Sequence, residues 1–319
     1  MKKVLIIVGI ILLVVGLIIT ASVFVFSNFN FKNINTSEDY ESKTFNIEDE
    51  FNNINISIDT SDLVFKHAKD GKTTIECLER KNMPYKVYVE NGTLKVETED
   101  NRQLTDYMLT YNTKQTMTVY LPGERYEKLE IKNVTGDTNI PETFSFVNLK
   151  VLSSTGDIIC KASVDDVLSI DLTTGHIEVE GIKSNEISLI STTGKISAKD
   201  IECTNSFTLN VSTGSSNITN VKCKSFSSDG STGTISLTNV IATGKMEITR
   251  SSGDIKLDKC DAEEMNFSLR TGDIKGTILS EKIFITKTST GKIDVPASTT
   301  GGKCTITTST GDIKISMEK

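Results

Sequence analysis

The sequence predicts an all-β protein: a right-handed parallel β-solenoid, or β-helix, of about ten coils of 19–20 residues, with an N-terminal transmembrane helix. Three observations predict this class. A short phrase built around glycine recurs ten times at even spacing, apolar and polar residues alternate after each glycine, and a long apolar run opens the chain. A single repeat of this size cannot bury its apolar side chains alone, whereas stacked repeats build a continuous core.

The apolar run covers residues 4–26 and carries no charge. A helix of this length measures roughly 34 Å, which is enough to cross a bilayer. Lys2 and Lys3 precede it, so the positive-inside rule predicts a single-pass membrane protein whose N-terminus is cytoplasmic. Residues 1–3 would be the cytoplasmic tip and the bulk of the chain extracytoplasmic. A cleaved signal peptide with its site at residues 20–22 is the alternative, but the run is longer than such peptides need.

The residues that follow the apolar run are expected to form a tether and then a cap. Residues 27–40 are polar and predict a tether. Residues 41–130 alternate like strands without a regular repeat, and Asn91-Gly92 is typical of a hairpin turn. We therefore expect an irregular β cap at the membrane-proximal end, followed by the solenoid at residues 131–319.

The repeat is defined by ten glycines separated by 19 or 20 residues. They are Gly136, Gly156, Gly175, Gly194, Gly214, Gly233, Gly253, Gly272, Gly291 and Gly311. Glycine permits a corner with positive φ that a side chain would obstruct. At about 4.8 Å per coil, ten coils would make a rod roughly 48 Å long.

Each repeat is predicted to contain two or three short strands. Apolar residues fall two and four positions after the glycine, as Ile177 and Val179 do, and a second alternating run begins about twelve positions after it. A lone apolar residue seven positions after the glycine, such as Ile182, indicates a short strand between them. The connections between parallel strands favour a right-handed path. The chain ends eight residues after Gly311, so we expect a bare last coil, blunted only by its terminal charges.

A hydroxyl-bearing residue precedes every repeat glycine and is expected to form a ladder along one corner. The ladder has a structural explanation if its hydroxyls hydrogen-bond to the backbone groups of the corner. The alternative is that the ladder is an ordered face that binds glycans or ice. The candidates for binding in the chain are the exposed threonines of this ladder: Thr155, Thr174, Thr193, Thr213, Thr232, Thr271, Thr290 and Thr310.

No residue pattern predicts a metal, a cofactor or a catalytic residue. Aspartates follow several of the glycines, but Lys195, Lys292 and His176 interrupt the column, which favours a solvated face over a calcium ladder. His67 and His176 lie far apart in sequence, and the hydrolase, metalloprotease and Walker motifs are absent. A repeat that never departs from 19–20 residues also leaves no room for the long loops that build a catalytic cleft.

The six cysteines are expected to be free thiols rather than a disulfide framework. Three of them, Cys160, Cys260 and Cys304, fall at inward positions, where cysteine packs as a small apolar residue. Cys203 and Cys223 both lie nine residues after a glycine and are the one pair worth testing as a bridge. Composition gives a further exclusion: a net charge of −7 without a basic tract argues against nucleic-acid binding.

The chain resembles the bacterial putative-adhesin family, a β-strand-repeat domain of unknown function. The stretch VYLPGERYEKLEIKNVTGDTNI and the later [ST]-[ST]-G-[DK]-I coils carry the resemblance, which spans roughly residues 45–319. It implies a solenoid displayed outside the membrane and an adhesive role, and it supplies no catalytic residues. Some members are membrane-anchored, and some are encoded with envelope-stress genes.

These observations favour a non-enzymatic binding protein anchored by residues 4–26, whose partner is an envelope protein or a cell-wall polymer. An accessory factor of envelope-stress signalling is the main alternative. A polysaccharide-active enzyme and an ice binder rank below both. An uncapped last coil also makes end-to-end self-association plausible.

Overall fold

The computed structural model describes residues 12–18, 22, 40–102 and 115–318. Within these residues the chain is all-β apart from a short helix at 12–18, and it forms a solenoid of about ten turns, as predicted. The anchor expected at 4–26 and the tether at 27–40 lie largely outside the described residues. None of the described helical residues belongs to a helix with the length and apolarity needed to span a membrane.

Among the described residues, seven strands precede the regular repeats. They are β1 (Tyr40–Ile47), β2 (Asn53–Thr60), β3 (Asp62–His67), β4 (Thr73–Arg80), β5 (Tyr85–Glu90), β6 (Thr93–Thr98) and β7 (Thr116–Leu121).

The repeats contribute the remaining seventeen described strands. They are β8 (Arg125–Thr135), β9 (Thr138–Ile140), β10 (Ser145–Thr155), β11 (Ile158–Cys160), β12 (Ser163–Thr174), β13 (Ile177–Glu180), β14 (Lys183–Thr193), β15 (Ile196–Thr213), β16 (Ser216–Cys223), β17 (Ser225–Thr232), β18 (Ile235–Ser252), β19 (Ile255–Thr271), β20 (Ile274–Ile278), β21 (Lys282–Thr290), β22 (Ile293–Asp294), β23 (Gly302–Thr310) and β24 (Ile313–Met317).

Two arrays of strands meet at the repeat glycines. The leading array holds the strands that run into the repeat glycines, together with the irregular strands that pair onto them. Its order is β5, β6, β2, β8, β10, β12, β14, the second half of β15, β17, the second halves of β18 and β19, β23 and β21. The trailing array holds the strands that follow the repeat glycines, together with the irregular strands that pair onto them. Its order is β1, β4, β7, β3, β9, β11, β13, the first half of β15, β16, the first halves of β18 and β19, β20, β24 and β22.

The core lies between the two arrays and confirms the alternation read from the sequence. Ile177 and Val179 are buried, and so is Ile182 at the intermediate position. Aromatic residues stack between neighbouring coils: the rings of Phe207 and Phe226 meet edge to face with centroids 5.5 Å apart. The core is continuous because each coil covers the apolar side chains of the next.

The repeat glycines occupy a corner that excludes a side chain. Their φ angles lie between 115° and 149°. A β-carbon at Gly214 would overlap the carbonyl oxygen of Gly194 in the neighbouring coil, and the same overlap recurs along the stack. Both the backbone conformation and the coil-to-coil approach therefore require glycine.

The end of the stack differs from the sequence expectation. The last coil of the chain, β23 and β24, is not bare: it lies between the coil of β19 and β20 and the coil of β21 and β22. The outermost coil is therefore residues 282–294, and the expectation of a bare C-terminal coil was wrong.

The composition of the two coils gives a physical reason for this order. The inward side chains of the outermost strand β21 include Thr286 and Thr288, whereas Ile306 occupies the matching position of β23 beside Thr286. Ile306 is fully buried and so is Ile313 on β24. The covered slot thus buries Ile306 and Ile313 completely, as the burial of apolar surface favours.

A buried ion pair reaches across the inserted coil. Lys282 on β21 lies opposite Gly302 on β23, and its Nζ is 2.7 Å from Oδ1 of Asp261 on β19. Only 3% of Lys282 is exposed. Because Gly302 has no side chain in the way, the lysine joins the outermost coil to the coil beneath the inserted one.

The other end of the stack holds the irregular strands. β2 and β3 already form a coil, since the carbonyl of Ser61 lies under Gly136 as a repeat glycine would. The hairpin of β5 and β6 turns at Asn91 and Gly92, both with positive φ, as the sequence predicted. β4 pairs antiparallel with β1 and β7, so the parallel stack ends here in antiparallel strands.

Candidate functional site

The threonines before the repeat glycines form one exposed column. Thr155 pairs in register with Thr174, and Thr174 with Thr193; the same register continues to the outermost coil. The eight sequence candidates are all exposed: Thr155, Thr174, Thr193, Thr213, Thr232, Thr271, Thr290 and Thr310. The structure thus brings together every residue of the predicted ladder, at the spacing of neighbouring strands.

The hydroxyls of this column are not used by the corner itself. Backbone groups satisfy one another there: the N–H of Gly156 donates to the carbonyl of Thr174 at 3.1 Å, and the N–H of Gly175 donates to the carbonyl of Thr193 at 3.0 Å. Within the described residues, none of the eight threonine side chains makes a hydrogen bond. Turn chemistry therefore does not account for the hydroxyls.

A second hydroxyl column runs beside the first and was missed by the sequence analysis. It consists of the serine or threonine found two positions before a repeat glycine. These side chains are also exposed: Ser154, Thr173, Thr192, Ser212, Ser231, Ser251, Ser289 and Ser309. Arg270 interrupts it before Thr271. The paired Ser/Thr in the repeated phrase was the available signal. We call the two columns together the hydroxyl corner.

The aspartates after the glycines serve the backbone of the neighbouring coil. Oδ1 of Asp137 accepts a hydrogen bond from the N–H of Asp157 at 2.8 Å, and Oδ1 of Asp157 accepts one from the N–H of His176 at 2.8 Å. Nδ1 of His176 accepts from the N–H of Lys195 at 3.3 Å. The column therefore closes backbone hydrogen bonds between coils. In the described part of the chain, no three acidic, histidine or cysteine side chains gather as metal ligands.

The six cysteines are buried and free in the structure. Sγ of Cys203 donates to the carbonyls of Asn185 at 3.3 Å and Ser206 at 3.2 Å, rather than bonding to Cys223. Burial raises the pKa of the Cys160 and Cys223 thiols to about 12. Such thiols stay protonated at neutral pH and are poor nucleophiles.

A cavity of about 860 Å³ lies at the end that carries the irregular strands, and sequence reasoning did not find it. Phe51 stacks on Tyr126 at its wall, with ring centroids 6.0 Å apart. Glu48, Asp49 and Glu50 also line it. The run of three acidic residues before Phe51 was visible in the sequence, but its meeting with Tyr126 depends on the fold.

Fold and site define the class of this protein: a repetitive β-solenoid with a long, regular, hydroxyl-rich corner. The chain belongs to the Toastrack DUF4097 family, whose model matches residues 51–206 and 201–319, and this confirms the resemblance read from the repeats. The family is a domain of unknown function.

Several solved structures are similar to the chain. A putative adhesin from Bacteroides fragilis is 14% identical, with 88% of this chain and 98% of that chain covered and a TM-score of 0.36. A putative adhesin from Parabacteroides distasonis is 12% identical, with the same coverages and a TM-score of 0.40. A putative lipid binding protein from the same species is 14% identical, with coverages of 85% and 98% and a TM-score of 0.33. No curated protein matches the chain.

Proposed function

We propose that the chain is a non-enzymatic binding protein, anchored in the cell membrane by its N-terminus with the rest of the chain extracytoplasmic. We propose further that its hydroxyl corner binds a cell-envelope polymer. The observation that carries this proposal is the pair of exposed columns whose threonine hydroxyls are not hydrogen-bonded within the described residues. Each hydroxyl can donate one hydrogen bond and accept two. The corner therefore presents unused hydrogen-bonding capacity in every coil from Ser154 to Thr310.

A polymer fits this surface better than a small ligand does. The hydroxyls repeat about every 4.8 Å along the stack, so a chain with its own repeated hydroxyl or amide groups can bind several coils at once. Each hydrogen bond contributes modestly, and many linked contacts give useful affinity. The corner is built from repeats of 19 or 20 residues, which leave no room for the long loops of a catalytic cleft, and this supports binding rather than catalysis.

The expected anchor supports a place at the cell envelope. The apolar run at residues 4–26 follows Lys2 and Lys3, and this asymmetry directs the rest of the chain outside. A protein held there by its N-terminus would present its corner to the polymers of the envelope.

The test is co-sedimentation of the detergent-solubilised full chain with purified envelope polysaccharides. A variant that carries Thr174→Val, Thr193→Val and Thr213→Val removes three hydroxyls while keeping the β-branched shape. We expect it to bind at least tenfold more weakly, because each lost hydrogen bond costs about 1 kcal/mol.

A matched control places three Thr→Val changes outside the corner, at Thr219, Thr238 and Thr249. This control should bind as the unchanged chain does. Equal binding by both variants would contradict the role of the corner. Recovery of membrane signalling proteins with no polymer would favour the accessory factor instead, and thermal hysteresis would indicate ice binding.

A further inference from the structure

The outermost coil leaves one strand edge open at the end of the leading array. Among the described residues, β21 pairs with β23 on one side and with nothing on the other; β22 likewise pairs with β24 alone. β21 is nine residues long and extended throughout. An open edge of this length presents unpaired backbone donors and acceptors to another strand.

The outward face of β21 is apolar where its neighbour is polar. Ile283 and Ile285 are 43% and 52% exposed. Their register partners on β23 are Lys303 and Thr305, so the polar surface of the leading array gives way to two isoleucines on this strand. Between them, Phe284 points inward and is only partly buried, because no further coil covers it.

Opposite charges flank this apolar pair in a self-complementary pattern. Glu281 precedes Ile283 by two residues, and Lys287 follows Ile285 by two. Antiparallel pairing of two β21 strands about Phe284 sets Ile283 of each copy opposite Ile285 of the other. The same register sets each Glu281 opposite a Lys287, since residues that face each other in a ladder project from the same side.

We propose that two copies of this chain associate tail to tail, by antiparallel pairing of β21 with β21 about a twofold axis at Phe284. Opposing isoleucines and two Glu281–Lys287 pairs stabilise the joint, and both leading arrays become one continuous sheet. An isologous contact of this kind closes at two copies and does not propagate.

The strand at the far end of the leading array is a poorer partner. Among the described strands β5 pairs only with β6, but Lys86, Tyr88 and Glu90 alternate with the residues that face the buried side chains of β6. The Lys86 ammonium lies over the Tyr88 ring, 5.0 Å from its centroid. This edge offers no apolar pair to match the two isoleucines, so a head-to-tail filament fits less well.

The experiment is sedimentation equilibrium of the detergent-solubilised full chain over a range of concentrations. We expect a monomer–dimer equilibrium that does not extend to larger species. Ile285→Lys should abolish it, whereas Val134→Lys, which adds the same charge at an exposed valine away from the edge, should not.

Charge exchange tests the register itself. Glu281→Lys and Lys287→Glu should each weaken the dimer about tenfold, since two attractive pairs become two repulsive ones. The double variant should restore the dimer, and Lys150→Glu on the same face far from the edge should leave it unchanged. A monomer at all concentrations, a growing filament, a dimer that survives Ile285→Lys, or a double variant that fails to recover would each overturn the proposal.

Discussion

Each repeat glycine is required for two reasons: its φ is positive, and the backbone of the neighbouring coil lies too close for a side chain. Gly214 has a φ of 145°, a region that residues with side chains rarely occupy. Its Cα also approaches the carbonyl of Gly194 so closely that a methyl group would overlap it. Only the first reason applies to Gly92 in the cap hairpin, because its φ is 68° and open space surrounds it.

This contrast predicts two different costs for the same substitution. Gly214→Ala should lower the free energy of unfolding by about 3 kcal/mol or more, because backbone strain and overlap add. Gly92→Ala should cost about 1 kcal/mol, the usual penalty of a left-handed alanine. Urea unfolding of both variants measures the difference. Equal losses would mean that the close approach of neighbouring coils contributes nothing.

At the scale of elements, the order of the last two coils follows from what each would bury. Ile293 and Ile313 are register partners, both two residues after a repeat glycine. Ile293 is 45% exposed on the outermost coil, whereas Ile313 is fully buried on the inserted one. Had the coils stacked in chain order, Ile313 would lie at the open end.

The matched pair of variants Ile313→Thr and Ile293→Thr tests this order. Ile313→Thr should lower the free energy of unfolding by about 2 kcal/mol or more, because it removes buried apolar surface and buries a hydroxyl. Ile293→Thr should change it by less than about 0.5 kcal/mol. Urea unfolding at a concentration where the chain is monomeric provides both values, and the reverse ranking would contradict the inserted coil.

The sequence predicted features that depend on one repeat and missed those that depend on which coils are neighbours. The glycine corner and the inward Ile177 and Val179 follow from local spacing, so they were visible in the residues. The threonine column was also predicted, since equal spacing aligns Thr174 with Thr193. The insertion of β23 could not be predicted, because both stacking orders satisfy the same period. The free state of the hydroxyls likewise depends on backbone pairing between coils.

At the scale of the whole molecule, ion pairs between coils add to the stack. Glu180 lies between two lysines of adjoining coils, with Nζ of Lys161 and of Lys199 each 2.7 Å from a carboxylate oxygen. Hydrogen bonds from Lys161 and Lys199 lower the pKa of Glu180 to about 2. One half-buried carboxylate thus links three successive coils, with an effect that salt weakens.

The lowered pKa predicts how stability depends on acid. In the unfolded chain Glu180 takes up a proton near its ordinary pKa of 4.5. In the folded chain it stays ionised to a lower pH. Its contribution is therefore complete above about pH 4.5 and is lost as the pH falls towards 2.

The melting temperature of Glu180→Gln should lie below that of the unchanged chain at pH 7, and the difference between the two should disappear between pH 4.5 and 2. Glu178→Gln, on the same strand with no ion pair among the described residues, is the matched control and should change the melting temperature at pH 7 little. A difference for Glu180→Gln that is constant across this range would mean that the charge of Glu180 does not act through its two lysines.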